Sequence, residues 1–352
     1  MKYVAVIYGT RPEQIKLNPI LKLLKNNNIP TLNLYTGQQK LSDVYDTINL
    51  HAYSVAPLPA RQGILMQRLS GMLTKKDVCA IIVQGDTLSA YCGALCGFML
   101  NIPVFHIEAG LRTYNLKSPF PEEYFRQEIT RIASYHFAPT KQAYKNLLKE
   151  NVSKDTIYLT GNTIVDAVKE HMKTRETEKE NEVLITCHRK ENIEHLQGIV
   201  TAVGKLAEKY PDITFRWIKH SNTKVLGAIS EYLPTCDNFK YVKALTYEEM
   251  QAKMNNVRFI MTDSGGIQEE AALLKVPTFV LRDTTERPES IESGACRLIG
   301  TEHSKIIEEV TKYIEGKSPF KIKACESYGT ESPSMKIVDT IIKFYDKENT
   351  QC

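Results

Sequence analysis

The chain has 352 residues, of which 42% are hydrophobic and 24% charged, and its 45 Lys and Arg against 41 Asp and Glu leave a formal charge of +4. That length exceeds what one hydrophobic core usually organises, so two domains are expected. The composition excludes a disordered chain, and the small basic excess excludes a polybasic nucleic-acid surface.

The start is apolar over residues 1–8 only, before Gly9-Thr10-Arg11-Pro12-Glu13, and no run reaches the roughly 20 apolar residues of a membrane span. Neither a signal peptide nor a membrane partner is expected, and the expected location is the cytoplasm. Apolar runs at 3–8, 31–35, 80–83, 104–107 and 135–138 read as strands, with helical stretches between them. A charged segment at 169–181 marks a boundary, after which runs at 183–186, 214–218, 239–242, 259–262 and 278–281 form a second series. Strands alternating with helices in both halves predict an α/β protein of two doubly wound, Rossmann-like domains whose carboxyl-end loops face a central cleft. The first domain is expected over 1–167 plus a returning helix at about 335–352, and the second over 168–334. Cysteines at Cys79, Cys92, Cys96, Cys187, Cys236, Cys296, Cys325 and Cys352 show no CxxC pair and no zinc spacing, so no metal is expected.

The loops after these strands carry the polar residues. Arg11 follows the first strand and is either a fork for phosphate or a surface ion pair, with Lys16 about one helical turn onward. Asp86, in Gln84-Gly85-Asp86-Thr87, is either a rim carboxylate or a helix N-cap. Glu108 follows another strand in His106-Ile107-Glu108-Ala109-Gly110, and is hard to read as a merely solvated charge. Glu122 and Glu123 open a helix containing Arg126 and Arg131, where acids also suit the helix dipole. In the second half, Cys187-His188-Arg189-Lys190 puts a histidine and two cations at a strand end, although a lone histidine is more often structural. Ser264-Gly265-Gly266 opens a helix at a small turn where a diphosphate can approach free N–H groups, or is a plain tight turn. Glu269 and Glu270 follow, one of them placed to hold ribose hydroxyls, and Arg287 is a second candidate phosphate fork. The spacing is neither Walker A nor GxGxxG, so no adenine-nucleotide or nicotinamide cofactor is expected.

With these blocks in view, the chain resembles the non-hydrolysing UDP-N-acetylglucosamine 2-epimerases. The resemblance rests on GTRPE at 9–13, QGDT at 84–87, HIEAGLRT at 106–113, PFPEE at 119–123, CHRKEN at 187–192, TDSGGIQEEA at 262–271 and RDTTERPE at 282–289, in order along nearly the whole chain. It implies a GT-B-like fold, similar to two-domain nucleotide-sugar glycosyltransferases, in a homodimer with UDP held mainly by the second domain. It places Asp86, Glu108, Glu122 and His188 at catalytic positions, and Arg11, Lys16, Ser264, Gly265, Gly266, Glu270 and Arg287 at substrate-binding ones. It also implies a second UDP-N-acetylglucosamine as activator, with Gln38, Arg61, Gln62, Arg189 and His220 at that site. The chain departs from the family pattern at Gly37-Gln38-Gln39-Lys40 and around Met250.

The expected reaction converts UDP-N-acetylglucosamine to UDP-N-acetylmannosamine for polysaccharide biosynthesis, by elimination of UDP to a 2-acetamidoglucal and re-addition. Crowding of Asp86, Glu108 and Glu122 is expected to raise the pKa of at least one of them. The alternatives are a 2-epimerase for a related sugar such as a 6-deoxy UDP sugar, a hydrolysing 2-epimerase, a UDP-sugar glycosyltransferase and a non-catalytic UDP-sugar sensor.

Overall fold

The structure is a computed structural model that describes residues 2–38, 47–52, 56–171, 180–219, 227, 229–329 and 331–350. The chain divides into a first unit, Met1–Ala167 with Glu326–Cys352, and a second, Val168–Cys325.

The first unit alternates strands and helices in chain order: β1 (Tyr3–Tyr8), α1 (Arg11–Asn26), β2 (Thr31–Tyr35), β3 (Thr47–Asn49), α2 (Leu58–Leu73), β4 (Val78–Gln84), α3 (Leu88–Met99), β5 (Val104–Ile107), α4 (Glu122–Ile132), β6 (Tyr135–Ala138), α5 (Lys141–Lys149), β7 (Ile157–Leu159) and α6 (Ile164–His171). All its strand pairs are parallel, in the order β3-β2-β1-β4-β5-β6-β7. A parallel sheet covered on both faces needs strands that are apolar throughout, and β1 meets that requirement with Tyr-Val-Ala-Val-Ile-Tyr. Ala5 and Ile7 project to one face with Leu65, Leu69, Cys92 and Ala94 of α2 and α3. Val4, Val6 and Tyr8 project to the other, against Leu17, Ile20 and Leu24 of α1.

The second unit repeats the plan with β8 (Glu182–Thr186), α7 (Leu196–Lys209), β9 (Thr214–Ile218), β10 (Phe239–Val242), α8 (Tyr247–Asn256), β11 (Phe259–Thr262), α9 (Gly265–Leu274), β12 (Thr278–Val280), α10 (Pro288–Glu292), β13 (Cys296–Leu298) and α11 (His303–Ile314). Its order is β10-β9-β8-β11-β12-β13, again with every pair parallel. Trp217 of β9, fully buried, packs with Val183, Phe215, Ile199 and Val203 in its core. The last helix, α12 (Pro333–Thr350), returns to the first unit, where Ile337, Val338 and Ile341 join the α1 face. Phe344 of that helix meets Phe105 edge-on at 5.2 Å.

Both sheets reverse their strand order between a first and a later strand, at β1/β4 and at β8/β11. A crevice opens at the carboxyl ends of such a pair because the flanking connections run to opposite faces. The loops at 9–13, 85–87, 187–192 and 263–266 all leave strands at these two points.

The short strands β3, β7 and β13 are not foreseen by the apolar pattern. Each has three residues, too few to show a period, and pairs along the edge of a neighbour already in place. The chain rejoins the first unit at Glu326, earlier than the expected helix at 335: the buried Tyr328 accepts a hydrogen bond at its carbonyl from Asn162 N at 2.9 Å. No described helix is long and apolar enough to cross a membrane.

Candidate active site

At the first switch point, the turn after β1 is held by Glu13. Thr10 caps α1 in a capping box with Glu13, whose Oε2 accepts from Gly9 N (3.1 Å), Thr10 N (2.8 Å) and Thr10 Oγ1 (2.7 Å). Its Oε1 accepts from Thr87 Oγ1 at 2.7 Å, so one carboxyl ties the loop after β1 to the loop after β4. Burial raises its pKa to about 7 against the opposing pull of those donors. Arg11 and Lys16 lie on the helix this clamp starts. Lys16 Nζ reaches Glu108 Oε2 at 2.8 Å, with both side chains nearly buried, and Gln84 Nε2 donates to the same oxygen. Glu108 itself has φ +65, a left-handed conformation that a residue other than glycine adopts at a cost.

Asp86 does not cap α3. That role falls to Thr87, whose side chain accepts from Ala90 N at 3.1 Å, and Asp86 turns instead to Arg126 Nη2 at 2.6 Å. Arg126 of α4 also contacts Glu123 Oε2 at 3.1 Å. Glu123 is fully buried and braces the loop before α4, accepting from Thr113 N at 2.9 Å and Tyr114 N at 3.0 Å. Burial works to raise its pKa, but the Thr113 N–H, the Gln127 amide, the Tyr114 N–H and Arg126 together hold it below the ordinary value. Glu122, the first residue of α4, is half-buried one helical turn from Arg126. Cations thus stand beside two acids of this rim, Arg126 beside Asp86 and Lys16 beside Glu108. Below the rim, burial pushes the His106 pKa down to about 3, and its Nε2 donates to Gly85 O at 2.8 Å, steadying the turn that carries Asp86.

At the second switch point, Ser264 occupies the N-cap position of α9 without making a side-chain cap bond. A Cβ added at Gly266 would meet nothing within 4 Å, whereas one at Gly265 would lie 3.2 Å from Glu286 Oε1. The first-turn N–H groups have no acceptor within the helix, and they carry its positive dipole end. Guanidinium groups flank this terminus, fixed by buried acids. Arg287 pairs through Nε with Glu269, and Glu286 holds Arg282 at 2.9 Å and Arg189 at 3.2 Å. Arg189 Nη2 lies 3.5 Å from where a Gly265 Cβ would be. Arg189, assigned by resemblance to a second ligand site, therefore stands beside the α9 terminus. Glu270, nearly buried, accepts from Gln251 Nε2. His188 is about one-third exposed, with Nδ1 3.7 Å from Oδ1 of the fully buried Asp263.

Gln38 and Arg61 line a shallow, open recess in the first unit with Thr36, Ala52, Leu65, Leu88 and Ser89. Ser89 Oγ donates to Gln38 Oε1 at 3.1 Å, and Arg61 Nε is buried without a hydrogen-bond partner. Gln62 is half-buried on α2 beside Arg61, and His220 lies outside the described residues. The sequence reading missed Glu13, Arg126 and Asp263. Thr10 and Glu13 at capping-box spacing, and Arg126 four residues after Glu122, were the available signals; Asp263 offered none beyond its place before Ser264. Among the described residues, no group of His, Cys, Asp and Glu is arranged to hold a metal ion.

The family model described as UDP-N-acetylglucosamine 2-epimerase matches residues 42–342. The UDP-N-acetylglucosamine 2-epimerase of Neisseria meningitidis serogroup A is 36% identical, over 97% of this chain and 99% of that protein. The one from Bacillus subtilis is 34% identical, over 99% of this chain and 97% of its own length. Among solved structures, the Neisseria meningitidis UDP-GlcNAc 2-epimerase bound to UDP-GlcNAc superposes with a TM-score of 0.87 at 34% identity, covering 97% of this chain and all (100%) of that one. The Methanocaldococcus jannaschii UDP-GlcNAc 2-epimerase in complex with UDP-GlcNAc and UDP gives 0.85 at 32% identity, with coverage of 97% and 100%. Acinetobacter baumannii MurG, at 13% identity, 97% and 100% coverage and a TM-score of 0.58, is alike in fold alone, in keeping with the GT-B-like class. With these blocks in order on two doubly wound units and a matching family model over most of its length, the chain belongs to the UDP-N-acetylglucosamine 2-epimerase family of isomerases.

Proposed function

We propose that this protein inverts carbon-2 of UDP-N-acetylglucosamine to give UDP-N-acetylmannosamine. The observation that carries the reading is the α9 terminus at Ser264-Gly265-Gly266, with open space at Gly266 and with Arg189 and Arg287 held nearby by Glu286 and Glu269. It is an anion site suited to a diphosphate. Family membership supplies the sugar, and the acids of the other switch point supply the proton chemistry.

The carbon-2 proton of a nucleotide sugar is scarcely acidic, because no carbonyl adjoins it. Breaking the bond between carbon-1 and the β-phosphate oxygen gives carbon-1 oxocarbenium character, and a base then removes the carbon-2 proton to leave UDP and a 2-acetamidoglucal. Re-addition of the phosphate oxygen to carbon-1, with a proton delivered to the opposite face of carbon-2, completes the inversion. In this scheme Arg11, Arg287, His188 and the α9 terminus stabilise the departing UDP, Glu270 holds ribose, and Asp86, Glu108 and Glu122 divide the proton transfers and sugar positioning. Lys16 and Gln84 aim Glu108, and Arg126 aims Asp86.

The test is proton NMR of the purified protein with UDP-N-acetylglucosamine in heavy water, without NAD. UDP-N-acetylmannosamine carrying deuterium at carbon-2 is the expected product. Free N-acetylmannosamine identifies a hydrolysing enzyme instead, and an unchanged spectrum directs the assay to 6-deoxy UDP sugars.

A second UDP-N-acetylglucosamine as activator is supported by the unpaired buried Arg61 Nε in the recess with Gln38. Its test is whether UDP-N-acetylmannosamine alone turns over, or does so only once a trace of UDP-N-acetylglucosamine is added. A homodimer is supported by the exposed Phe98 and Met99 of α3. Phe98 lies two turns from Tyr91, whose ring meets that of the exposed Tyr124 of α4 at 6.0 Å. Light scattering on the full chain gives the mass that decides it.

A further inference from the structure

Asp263 ends β11 at the second switch point, wholly buried, and its two oxygens have different surroundings. Oδ2 is saturated with donors: His188 N at 2.9 Å, Arg189 N at 2.8 Å, Asn192 Nδ2 at 3.0 Å and Cys187 Sγ at 3.2 Å. These bonds fix the backbone from which the His188 side chain leaves. Oδ1 is buried with no hydrogen-bond partner, yet stands 3.7 Å from His188 Nδ1. That separation is longer than a hydrogen bond but within ion-pair reach. A buried carboxylate oxygen without a donor is costly, and the imidazole is positioned to supply one.

We infer that Asp263 is a positioning residue: it holds the His188 imidazole with Nδ1–H toward Oδ1 and thereby presents Nε2 to the ligand. The catalytic consequence rests on the proposed action of His188 at the departing UDP; the orientation does not. With Nδ1–H so held, Nε2 is the atom that gives or takes a proton at the phosphate, and the neighbouring carboxylate stabilises the imidazolium.

Asp263→Asn tests this with little disturbance to the loop. The amide oxygen takes over the donors of Oδ2, while its NH₂ replaces Oδ1 and donates to Nδ1, which forces the proton onto Nε2. The readout is the ring tautomer of His188 by long-range proton–nitrogen correlation in ¹⁵N-histidine protein, at a pH where the ring is neutral and with the signal assigned by His188→Asn. The wild type is expected as the Nδ1–H tautomer and Asp263→Asn as the Nε2–H tautomer, with kcat lowered about 100-fold or more and KM changed less than about threefold. An Nε2–H tautomer in the wild type overturns the inference whether or not the variant folds, and so does a tautomer unchanged by Asp263→Asn. A tautomer that switches while turnover stays constant upholds the orientation and refutes the proposed action of His188 at UDP.

Discussion

Replacing Glu13 by Gln should make the first unit respond differently to pH. Burial raises the Glu13 pKa from 4.5 to about 7, and its four hydrogen-bond donors offset that only in part. Between those two values the folded protein keeps a proton that the unfolded chain has shed. Stability therefore falls as pH rises through this window, and the penalty is constant above it. A shift of about 2.5 units at about 1.4 kcal/mol each corresponds to about 3 kcal/mol. Glu13→Gln removes the ionisation, while its amide oxygen still accepts from Gly9 N and Thr10 N and its NH₂ donates to the Thr87 hydroxyl. From pH 4 to pH 8 the variant should gain about 3 kcal/mol relative to wild type. Urea unfolding followed by circular dichroism at several pH values measures the difference. Trp217 is the chain's single tryptophan and lies in the second unit, so its fluorescence transition serves as the control. Parallel stability profiles for the two proteins across that range would refute the reasoning.

Gly110→Ala should be among the most damaging small substitutions, because φ is +87 there and the new Cβ would lie 2.3 Å from Ala143 O. A loss of about 3 kcal/mol or more is expected, read as a lowered melting temperature. Gly266→Ala meets nothing within 4 Å and should leave the melting temperature nearly unchanged, while raising KM for the UDP sugar about tenfold as its methyl enters the diphosphate space. Arg287→Lys loses the planar fork that Glu269 holds, and calorimetry should show UDP binding weakened about tenfold or more. Glu108→Gln removes the charge beside Lys16, and carbon-2 deuterium exchange should fall at least about 100-fold while UDP affinity changes less than threefold. Unimpaired exchange in that variant would remove Glu108 from the proton chemistry.

The sequence by itself determined the architecture and the ligand class. Runs such as Tyr-Val-Ala-Val-Ile-Tyr are apolar on both faces and can only be satisfied inside a covered parallel sheet, and the polar loops that end them must then lie at carboxyl ends. Ser264-Gly265-Gly266 read as a diphosphate site or a plain tight turn, and the family blocks in order along the chain gave the ligand class. What the tertiary structure decided was partnership. Asp86 stands in sequence where a helix cap would, and only the packing of α4 against α3 gives it Arg126 instead. Glu269 and Glu270 are adjacent in sequence, yet helical geometry sends one to Arg287 and the other to Gln251. Glu13 and Thr87, or Asp263 and His188, are joined across 74 and 75 residues by strand order alone. Local pattern reports the period of a segment and the chemistry of a side chain. Which groups share a buried space depends on strand adjacency and helix packing, which no local pattern contains.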